Sequence, residues 1–128
     1  MFLENIEHEA WVKRGFRLTR STDLKRVRNF GKSYAHPLVV LVAQASENST
    51  HHVRVGVAAG KTTGTAVHRN RAKRLLREAL RPYLASLASG WDLILIARPA
   101  LVTATLEDTR AALLNLLRRA KILPTDES

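Results

Sequence analysis

The segment between Arg69 and Arg81 concentrates positive charge on what its pattern predicts to be a helix. Its cations, against the single acid Glu78, are Arg69, Arg71, Lys73, Arg74, Arg77 and Arg81. Like charges spaced four residues apart mildly destabilise an isolated helix, so this density indicates an anionic partner. A guanidinium can donate to two phosphate oxygens at once, whereas a lysine acts as a point charge. The spacing therefore predicts a surface that follows a phosphate backbone.

This helix separates a polar arc from an apolar face when residues are placed about 100° apart. The arc carries Arg69, Asn70, Lys73, Arg74, Arg77 and Arg81, while the docking face carries Ala72, Leu75, Leu76 and Ala79. The amide of Asn70 can contact a base edge, a ribose hydroxyl or a metal-bound water. The other interpretation is a solvated charged face, but a solvated helix normally mixes both signs.

A second group of cations precedes this helix. It consists of Lys13, Arg14, Arg17, Arg20, Lys25, Arg26, Arg28 and Lys32, opposed only by Asp23. Direct contact with an anionic partner and a solvated flexible arm both fit this group.

The composition of the chain points in the same direction. It has 128 residues, 45% of them hydrophobic, which suits one domain with one core. A formal net charge of +10 favours a polyanionic partner. The longest apolar stretches, 38–43 and 93–97, are far below the roughly 20 residues needed to cross a bilayer, so no membrane association is expected. The acidic start of the chain and its lack of cysteine predict a cytoplasmic protein.

The elements that must position the basic helix follow from periodicity and turn residues. We expect a flexible arm over 1–15, one RNA-binding domain over 16–123 and a tail over 124–128. Within the domain, a brief edge strand is predicted over 16–20 and a helix over about 22–30. Strands over 34–45 and 52–59 predict an antiparallel hairpin, linked by the polar residues 46–50.

The second half of the domain adds the basic helix over about 66–82, ended by Pro82. The near-continuous apolar run at 91–98 predicts a strand buried on both faces. Thr105 and Asp108 resemble a capping box that opens a final helix ending before Pro124. Together these elements predict an α+β fold, a two-layer sandwich of helices packed on a mixed central sheet.

One set of residues carries a family resemblance. The strand at 53–59 is followed by Gly60-Lys61, Gly64, Ala66-Val67 and the run from Arg69 to Glu78. In this order the residues resemble the protein subunit of bacterial ribonuclease P, and the similarity extends over about 100 residues through the strand at 91–98 and the final helix. The resemblance implies a fold like ribosomal protein S5 domain 2, with a left-handed crossover around the basic helix.

The resemblance also implies a division of labour. In that family the catalyst is an RNA that uses Mg²⁺ to hydrolyse the 5′ leader from precursor tRNA, and the protein binds that RNA and holds the leader. The expected partners are therefore the ribonuclease P RNA and precursor tRNA, with no obligate protein partner. The residues implied to contact the RNA are Lys61, Arg69, Asn70, Arg71, Lys73, Arg74 and Arg77. No residue of the protein is expected to be catalytic or to hold a metal.

The leader is implied to lie in a cleft between the first helix and the sheet, and there the chain departs from its relatives. Where relatives commonly carry aromatic side chains, it has Leu24, Arg28 and Val42. Stacking on an unpaired base is worth about 1–3 kcal/mol, so its loss would be substantial. Arg28 can replace part of it, and Phe30 or Tyr34 can also reach in. The alternative is that Leu24 and Val42 are simply core residues.

Other functions fit less well. Residues 56–62 resemble a phosphate-binding P-loop, but three residues separate the glycines where four are needed. The acids are scattered, so a nuclease site built on converging carboxylates is not indicated. A ribosomal protein or RNA chaperone remains the alternative on composition alone. A DNA-binding protein is disfavoured because no helix-turn-helix is recognisable.

Overall fold

A computed structural model describes residues 17–45 and 52–123, which form three α-helices and four β-strands. In chain order these are α1 (Ser21–Phe30), β1 (Lys32–Ala35), β2 (Val39–Ala45), β3 (Arg54–Ala59), α2 (Ala66–Leu80), β4 (Trp91–Ala97) and α3 (Leu106–Arg119). Short 3-10 segments flank α2 at Lys61–Thr63 and Arg81–Ser86, and a third precedes α3 at Pro99–Thr103. The predicted arm, the link at 46–50 and the tail lie outside the described residues.

The described strands form one mixed sheet in the order β1-β2-β4-β3. β4 pairs antiparallel with β2 and parallel with β3. The predicted hairpin of adjacent strands at 34–45 and 52–59 is therefore wrong, because β4 lies between β2 and β3. Its nearly unbroken apolar sequence is best buried at the centre of the sheet, with a neighbour on each side. The parallel strands β3 and β4 are joined through α2, and the left hand of this crossover stays a prediction.

The predicted strand at 34–45 is two antiparallel strands joined by a tight turn. Pro37 lacks the backbone N–H that an uninterrupted strand would need for pairing. His36 holds the turn, since its backbone N–H donates to the carbonyl oxygen of Val39 at 2.9 Å. Its ring Nδ1 accepts from the N–H of Leu38 at 3.1 Å. The predicted edge strand at 16–20 is reduced to a single bridge between Arg17 and Val55.

The larger core lies on the face of the sheet that α2 and α3 cover. Its fully buried side chains include Leu41, Leu76, Leu93, Leu95, Leu113, Leu116 and Leu117. α2 begins with Thr65, whose side chain accepts from the N–H of His68, and ends at Leu80 rather than at the predicted Pro82. The predicted cap of α3 is confirmed, because the Thr105 hydroxyl accepts from the N–H of Asp108 at 3.0 Å. The α+β fold with a mixed sheet is confirmed.

Among the described residues, α1 is the helix that covers the opposite face of the sheet, a separate layer that the two-layer prediction did not include. Cross-strand register places three rows of side chains on this face. We call Gln44, Asp92 and Arg54 the ion row, Val42, Ile94 and Gly56 the covered row, and Val40, Ile96 and Ala58 the open row. α1 sits on the covered row, where Val27, Val42 and Ile94 form a small buried cluster with Leu18. The open row lies beyond α1 and stays half-exposed.

The ion row holds α1 to the sheet through one buried carboxylate. Asp92 has no exposed surface and accepts two hydrogen bonds of 2.9 Å from Arg54. It accepts a third, of 2.7 Å, from Arg26 of α1, which also donates to Gln44. Burial alone would raise the pKa of Asp92, but the hydrogen bonds and charges of Arg54 and Arg26 outweigh it and hold that pKa below its usual value.

The Asp92 carboxylate should make the stability of the protein depend on acid pH. Its native pKa lies below the unfolded value of about 3.9, so its stabilisation is complete above that pH and is lost as the pH falls through the native pKa. At pH 7, Asp92→Asn should lower the free energy of unfolding by roughly 2–4 kcal/mol. This loss is smaller than for a fully buried ion pair, because both arginines still reach solvent. Urea unfolding at pH 7 and pH 2.5 measures this. The difference in free energy of unfolding between the wild type and Asp92→Asn should be smaller at pH 2.5 than at pH 7. An equal difference at both pH values would contradict the lowered native pKa of Asp92.

Candidate RNA interface

The basic helix α2 presents its cations as the sequence predicts. Ala72, Leu76, Ala79 and Leu80 are buried against the core, and Leu75 packs partly against it. Asn70, Arg71 and Arg74 are exposed, while Arg69, Lys73, Arg77 and Arg81 are half-buried along the edges of the polar arc. Lys61 is exposed in the 3-10 segment just before α2. The predicted RNA-contacting side chains therefore lie on one helix and the turn that leads into it.

Two of the cations in and directly after α2 also have partners inside the protein. Arg71 donates to the backbone carbonyl of Val102 and so ties α2 to the 3-10 segment before α3. Arg81 forms an ion pair with Glu78, the single acid of this helix. Among the described residues, the exposed Arg74 has no comparable protein partner. The charge on α2 is thus divided between holding the fold together and facing solvent.

Arg77 differs from the other cations in its surroundings. It lines a pocket of about 190 Å³ together with Arg17, Leu24 and Gly56, between the start of α1, β3 and α2. Burial lowers the pKa of Arg77, and the nearby charge of Arg17 lowers it further. Two cations therefore converge beside β3, between α2 and the segment that leads into α1, an arrangement that an anion would stabilise. The sequence placed Arg17 in the second cationic group but did not pair it with Arg77.

The cleft residues predicted from the sequence occupy three different environments. Val42 lies in the covered row and is 4% exposed, while Leu24 packs half-buried beside it. Arg28 is exposed. Residues two positions apart on a helix lie about 200° apart around its axis, so Arg28 leaves α1 on the side opposite Arg26. Since Arg26 points to the ion row, Arg28 lies on the side of the open row.

The open row is the part of this face that sequence reasoning missed. Val40, Ile96 and Ala58 are half-exposed and form an aliphatic floor beside Arg28. On β1, the exposed Ala35 is paired with Val40 and extends this floor. The signal was present in the sequence, because side chains two residues apart in a strand share a face, and Val40 therefore accompanies Val42. The sequence alone could not show whether α1 covers Val40 or Val42.

The two aromatic side chains considered for the cleft lie elsewhere. Tyr34 is paired with Leu41 and packs on the larger core, on the opposite face of the sheet. Its ring lies between Lys32 and Arg119, with the cations 5.5 and 5.9 Å from the ring centre. Phe30 is 75% exposed and follows Arg26 by four residues, which places it on the ion-row side of α1. The open row therefore has no aromatic side chain among the described residues.

The second cationic group is also divided. Lys13 and Arg14 lie outside the described residues. Arg26 is bound to Asp92, and the hydrogen bond that it donates to that carboxylate raises the pKa of Arg26. Asp23 lies 3.4 Å from Arg26 and 3.9 Å from Arg54, so the two acids neutralise the two arginines. Arg26 is therefore a structural residue, and Arg17, Arg20, Lys25, Arg28 and Lys32 are the exposed cations of this group.

Across residues 17–45 and 52–123, no three His, Cys, Asp or Glu side chains come together in a group that could hold a metal ion. In the same ranges, no helix combines the length and the apolar character needed to cross a membrane.

Comparison with known proteins identifies the family. A family model described as Ribonuclease P matches residues 12–121 of the chain. The chain belongs to the ribonuclease P protein family. Among curated members, the ribonuclease P protein component of Herpetosiphon aurantiacus is 42% identical over 112 residues, covering 87% of this chain and 89% of that protein. The component from Dehalococcoides mccartyi strain 195 is 40% identical, covering 88% of this chain and 90% of that protein.

Solved structures of family members share the fold. The ribonuclease P protein of Staphylococcus aureus superposes with a TM-score of 0.75 at 28% identity, covering 85% of this chain and 98% of that one. The protein from Thermotoga maritima gives a TM-score of 0.70 at 28% identity, covering 80% and 96%. The family resemblance inferred from the run around Arg69 is thereby confirmed, and the protein binds RNA as a subunit of a tRNA-processing ribonucleoprotein. The individual site residues stay predictions.

The division of charge on α2 can be tested by measuring how the affinity for ribonuclease P RNA depends on salt concentration. Arg74→Gln should reduce the slope of log Kd against log salt for ribonuclease P RNA by about 1, the change expected for one lost phosphate contact. Arg81→Gln, directly after α2 and paired with Glu78, serves as the matched control and should change the slope by less than half as much. Filter binding over a range of KCl concentrations measures both. Equal slopes for the Arg74→Gln and wild-type proteins would favour a solvated charged face.

Proposed function

We propose that this chain binds the ribonuclease P RNA through α2 and holds the 5′ leader of precursor tRNA against the open row, while the RNA carries out hydrolysis. The observation that carries the proposal is the placement of two unlike surfaces on one small domain. α2 offers a dense cationic arc, and the α1 side of the sheet offers an aliphatic floor bordered by Arg28. Arg17 and Arg77 add a further cationic site beside β3, next to Leu24 of α1.

The first surface suits a folded RNA with closely spaced phosphates. The guanidinium groups of α2 can each donate to two phosphate oxygens, and the exposed amide of Asn70 can read a ribose or a base edge. The helix is held rigidly for this role by its buried face and by the bond from Arg71 to Val102. α3 adds a further restraint, since Arg110 donates to the carbonyl groups of Glu78 and Ala79 at the end of α2.

The second surface suits a flexible single strand. Aliphatic side chains such as Val40 and Ile96 can contact a base without selecting among bases, because they offer no hydrogen-bond donors or acceptors. Arg28 supplies the charge that attracts the backbone, and its planar guanidinium can stack on a base. We therefore propose that this chain holds the leader with weak sequence preference and with a larger electrostatic contribution than an aromatic cleft would give.

Hydrolysis is assigned to the RNA because the described part of the protein offers no suitable ligand set. Mg²⁺ prefers carboxylate and phosphate oxygens. The acids of the described ranges are engaged in ion pairs or lie at the start of α3. The acids of residues 17–45 and 52–123 therefore do not form a magnesium site, and RNA phosphates would hold the ion that the cleavage needs. We propose no obligate protein partner for this assembly.

Reconstitution tests the proposal directly. The purified chain is added to a bacterial ribonuclease P RNA at low Mg²⁺, and the cleavage of precursor tRNA is timed. We expect strong stimulation, because the cations of α2 replace part of the Mg²⁺ that neutralises RNA phosphates. The matched control is the variant that replaces Arg69, Arg74 and Arg77 with glutamine. Absence of stimulation by the wild-type chain would reject the proposed function.

The leader surface can be tested by a gain of affinity. Val40→Phe places an aromatic ring on the open row, and stacking on one leader base should strengthen the binding of precursor tRNA by about 1 kcal/mol or more. Val42→Phe is the matched control, since it lies on the same strand and face but under α1, where overpacking costs about 1–3 kcal/mol of stability. Affinity for precursor and mature tRNA is measured with the reconstituted holoenzyme. A gain with Val42→Phe but none with Val40→Phe would place the leader elsewhere.

A further inference from the structure

The ion row and the open row lie on opposite sides of α1. Asp92, Gln44 and Arg54 hold one side of the helix, and Val40, Ile96 and Ala58 form the exposed floor on the other. The covered row lies between them. A sideways movement of α1 along the sheet, away from the ion row, would therefore carry it over the open row, and the lateral position of α1 sets how much of that floor is accessible.

The apolar contacts of α1 do not by themselves fix that position. Val27 is its single fully buried residue, and the surfaces it meets are the aliphatic side chains of Val42 and Ile94. Apolar contact is non-directional and depends on buried area, so neighbouring placements along such a surface differ little in free energy. A backbone hydrogen bond of 3.0 Å from Leu18 to Val55 ties the chain to β3 before α1 begins, and the directional restraint on the middle of the helix comes from the hydrogen bonds that Arg26 makes to Asp92 and Gln44.

Close packing of the backbone limits how near α1 can come to the sheet, but it does not prevent α1 from sliding along the sheet. A Cβ atom on Gly56 would lie 2.9 Å from the carbonyl oxygen of Leu18 and 3.0 Å from Leu24. On Gly31 it would lie 2.8 Å from Val42. These two glycines let α1 sit close to β3 at its start and to β2 at its end. They set the height of the helix above the sheet, whereas the ion row sets its lateral position.

We infer that Asp92 is a positioning residue for leader binding, which holds α1 over the covered row through Arg26 and so keeps the open row accessible. This inference rests on the proposed function, since it concerns the same leader surface. Asp92 does not touch the leader, because it has no exposed surface. Arg26 and Arg54 do not serve as phosphate contacts for the leader either, because Asp92 and Asp23 neutralise their charges.

The test is a double-mutant cycle on leader recognition in the reconstituted holoenzyme. The readout is the ratio of Kd values for mature tRNA and for precursor tRNA with a single-stranded 5′ leader. In the wild-type background, Arg28→Gln should lower this ratio about fivefold, as expected for the loss of one charge-assisted contact. In the Asp92→Asn background it should lower the ratio less than twofold, because a displaced α1 no longer holds Arg28 beside the leader.

Two controls separate positioning from a general loss of stability. Leu113→Ala removes a buried side chain of α3 from the larger core, on the other face of the sheet, and should lower stability without lowering the Kd ratio. Arg26→Gln should reproduce the effect of Asp92→Asn on the ratio while leaving the salt dependence of ribonuclease P RNA binding unchanged. All assays are run at a temperature at which circular dichroism shows each variant to be fully folded.

Four outcomes would overturn the inference. Additive effects of Asp92→Asn and Arg28→Gln would show that the two residues act independently. A ratio lowered equally by Leu113→Ala would show that stability alone is responsible. A wild-type holoenzyme that does not distinguish precursor from mature tRNA would reject the leader surface itself, and the inference would fail with it. A leader-selective wild type with an unchanged ratio in Asp92→Asn would reject only the positioning role.

Discussion

A carboxylate without exposed surface has to be neutralised where it lies. Asp92, near the start of β4, is paired with Arg54 of the neighbouring strand and with Arg26 of α1. Removing one partner from such a buried pair typically costs about 3–5 kcal/mol, so the positions of the groups around it are strongly restrained. This one side chain connects α1, β3 and β4 directly, and Arg26 extends the connection to β2 through its hydrogen bond to Gln44. The layer that α1 forms on the sheet therefore depends on a charged contact more than on its small apolar cluster.

That contact also changes how the positive charge of the protein should be understood. A net charge of +10 predicts a polyanion as partner, but a cation counts toward the partner only if the fold does not use it. Several described arginines donate to protein acceptors, namely Arg26, Arg54, Arg71, Arg81, Arg110 and Arg119. The cations left exposed or half-exposed include Arg69, Lys73, Arg74 and Arg77 on the polar arc of α2 and Lys25 and Arg28 on α1, while others such as Lys32, Arg98 and Lys121 are exposed outside these two helices. The positive charge available to RNA is therefore smaller than the net charge of the chain suggests, because part of that charge is used inside the protein.

The sequence predicted most elements because each had a strong local signal. The alternation of charged and apolar residues in α2, the cap at Thr105 and the apolar run of β4 were sufficient to locate those elements. Strand order was not predictable in the same way, because β2 and β3 are consecutive, and only the burial requirement of β4 places it between them. The split at Pro37 had a local signal in the proline itself, which the long apolar run after it obscured.

The site was predicted in part for the same reasons. The basic arc follows from residue spacing within one helix, and the run from Arg69 to Glu78 was enough to indicate the family. The cleft depends on contacts between distant segments. Arg26 and Arg28 are indistinguishable in the sequence, yet one is bound to Asp92 and the other is exposed on the opposite side of α1. Similarly, Val40 and Val42 share a face of β2, and only the placement of α1 separates an accessible floor from a buried core.

The central claim is that the leader lies on the open-row side of α1, and site-specific crosslinking tests it most directly. The chain has no cysteine, so a single introduced thiol carries a photoreactive group at one defined position. The account predicts that a probe on Ala58→Cys, in the open row, crosslinks to leader nucleotides in the holoenzyme bound to precursor tRNA. A probe on Phe30→Cys, on the ion-row side of the same helix, should give little or no leader crosslink. Crosslinking from Phe30→Cys but not from Ala58→Cys would contradict the account.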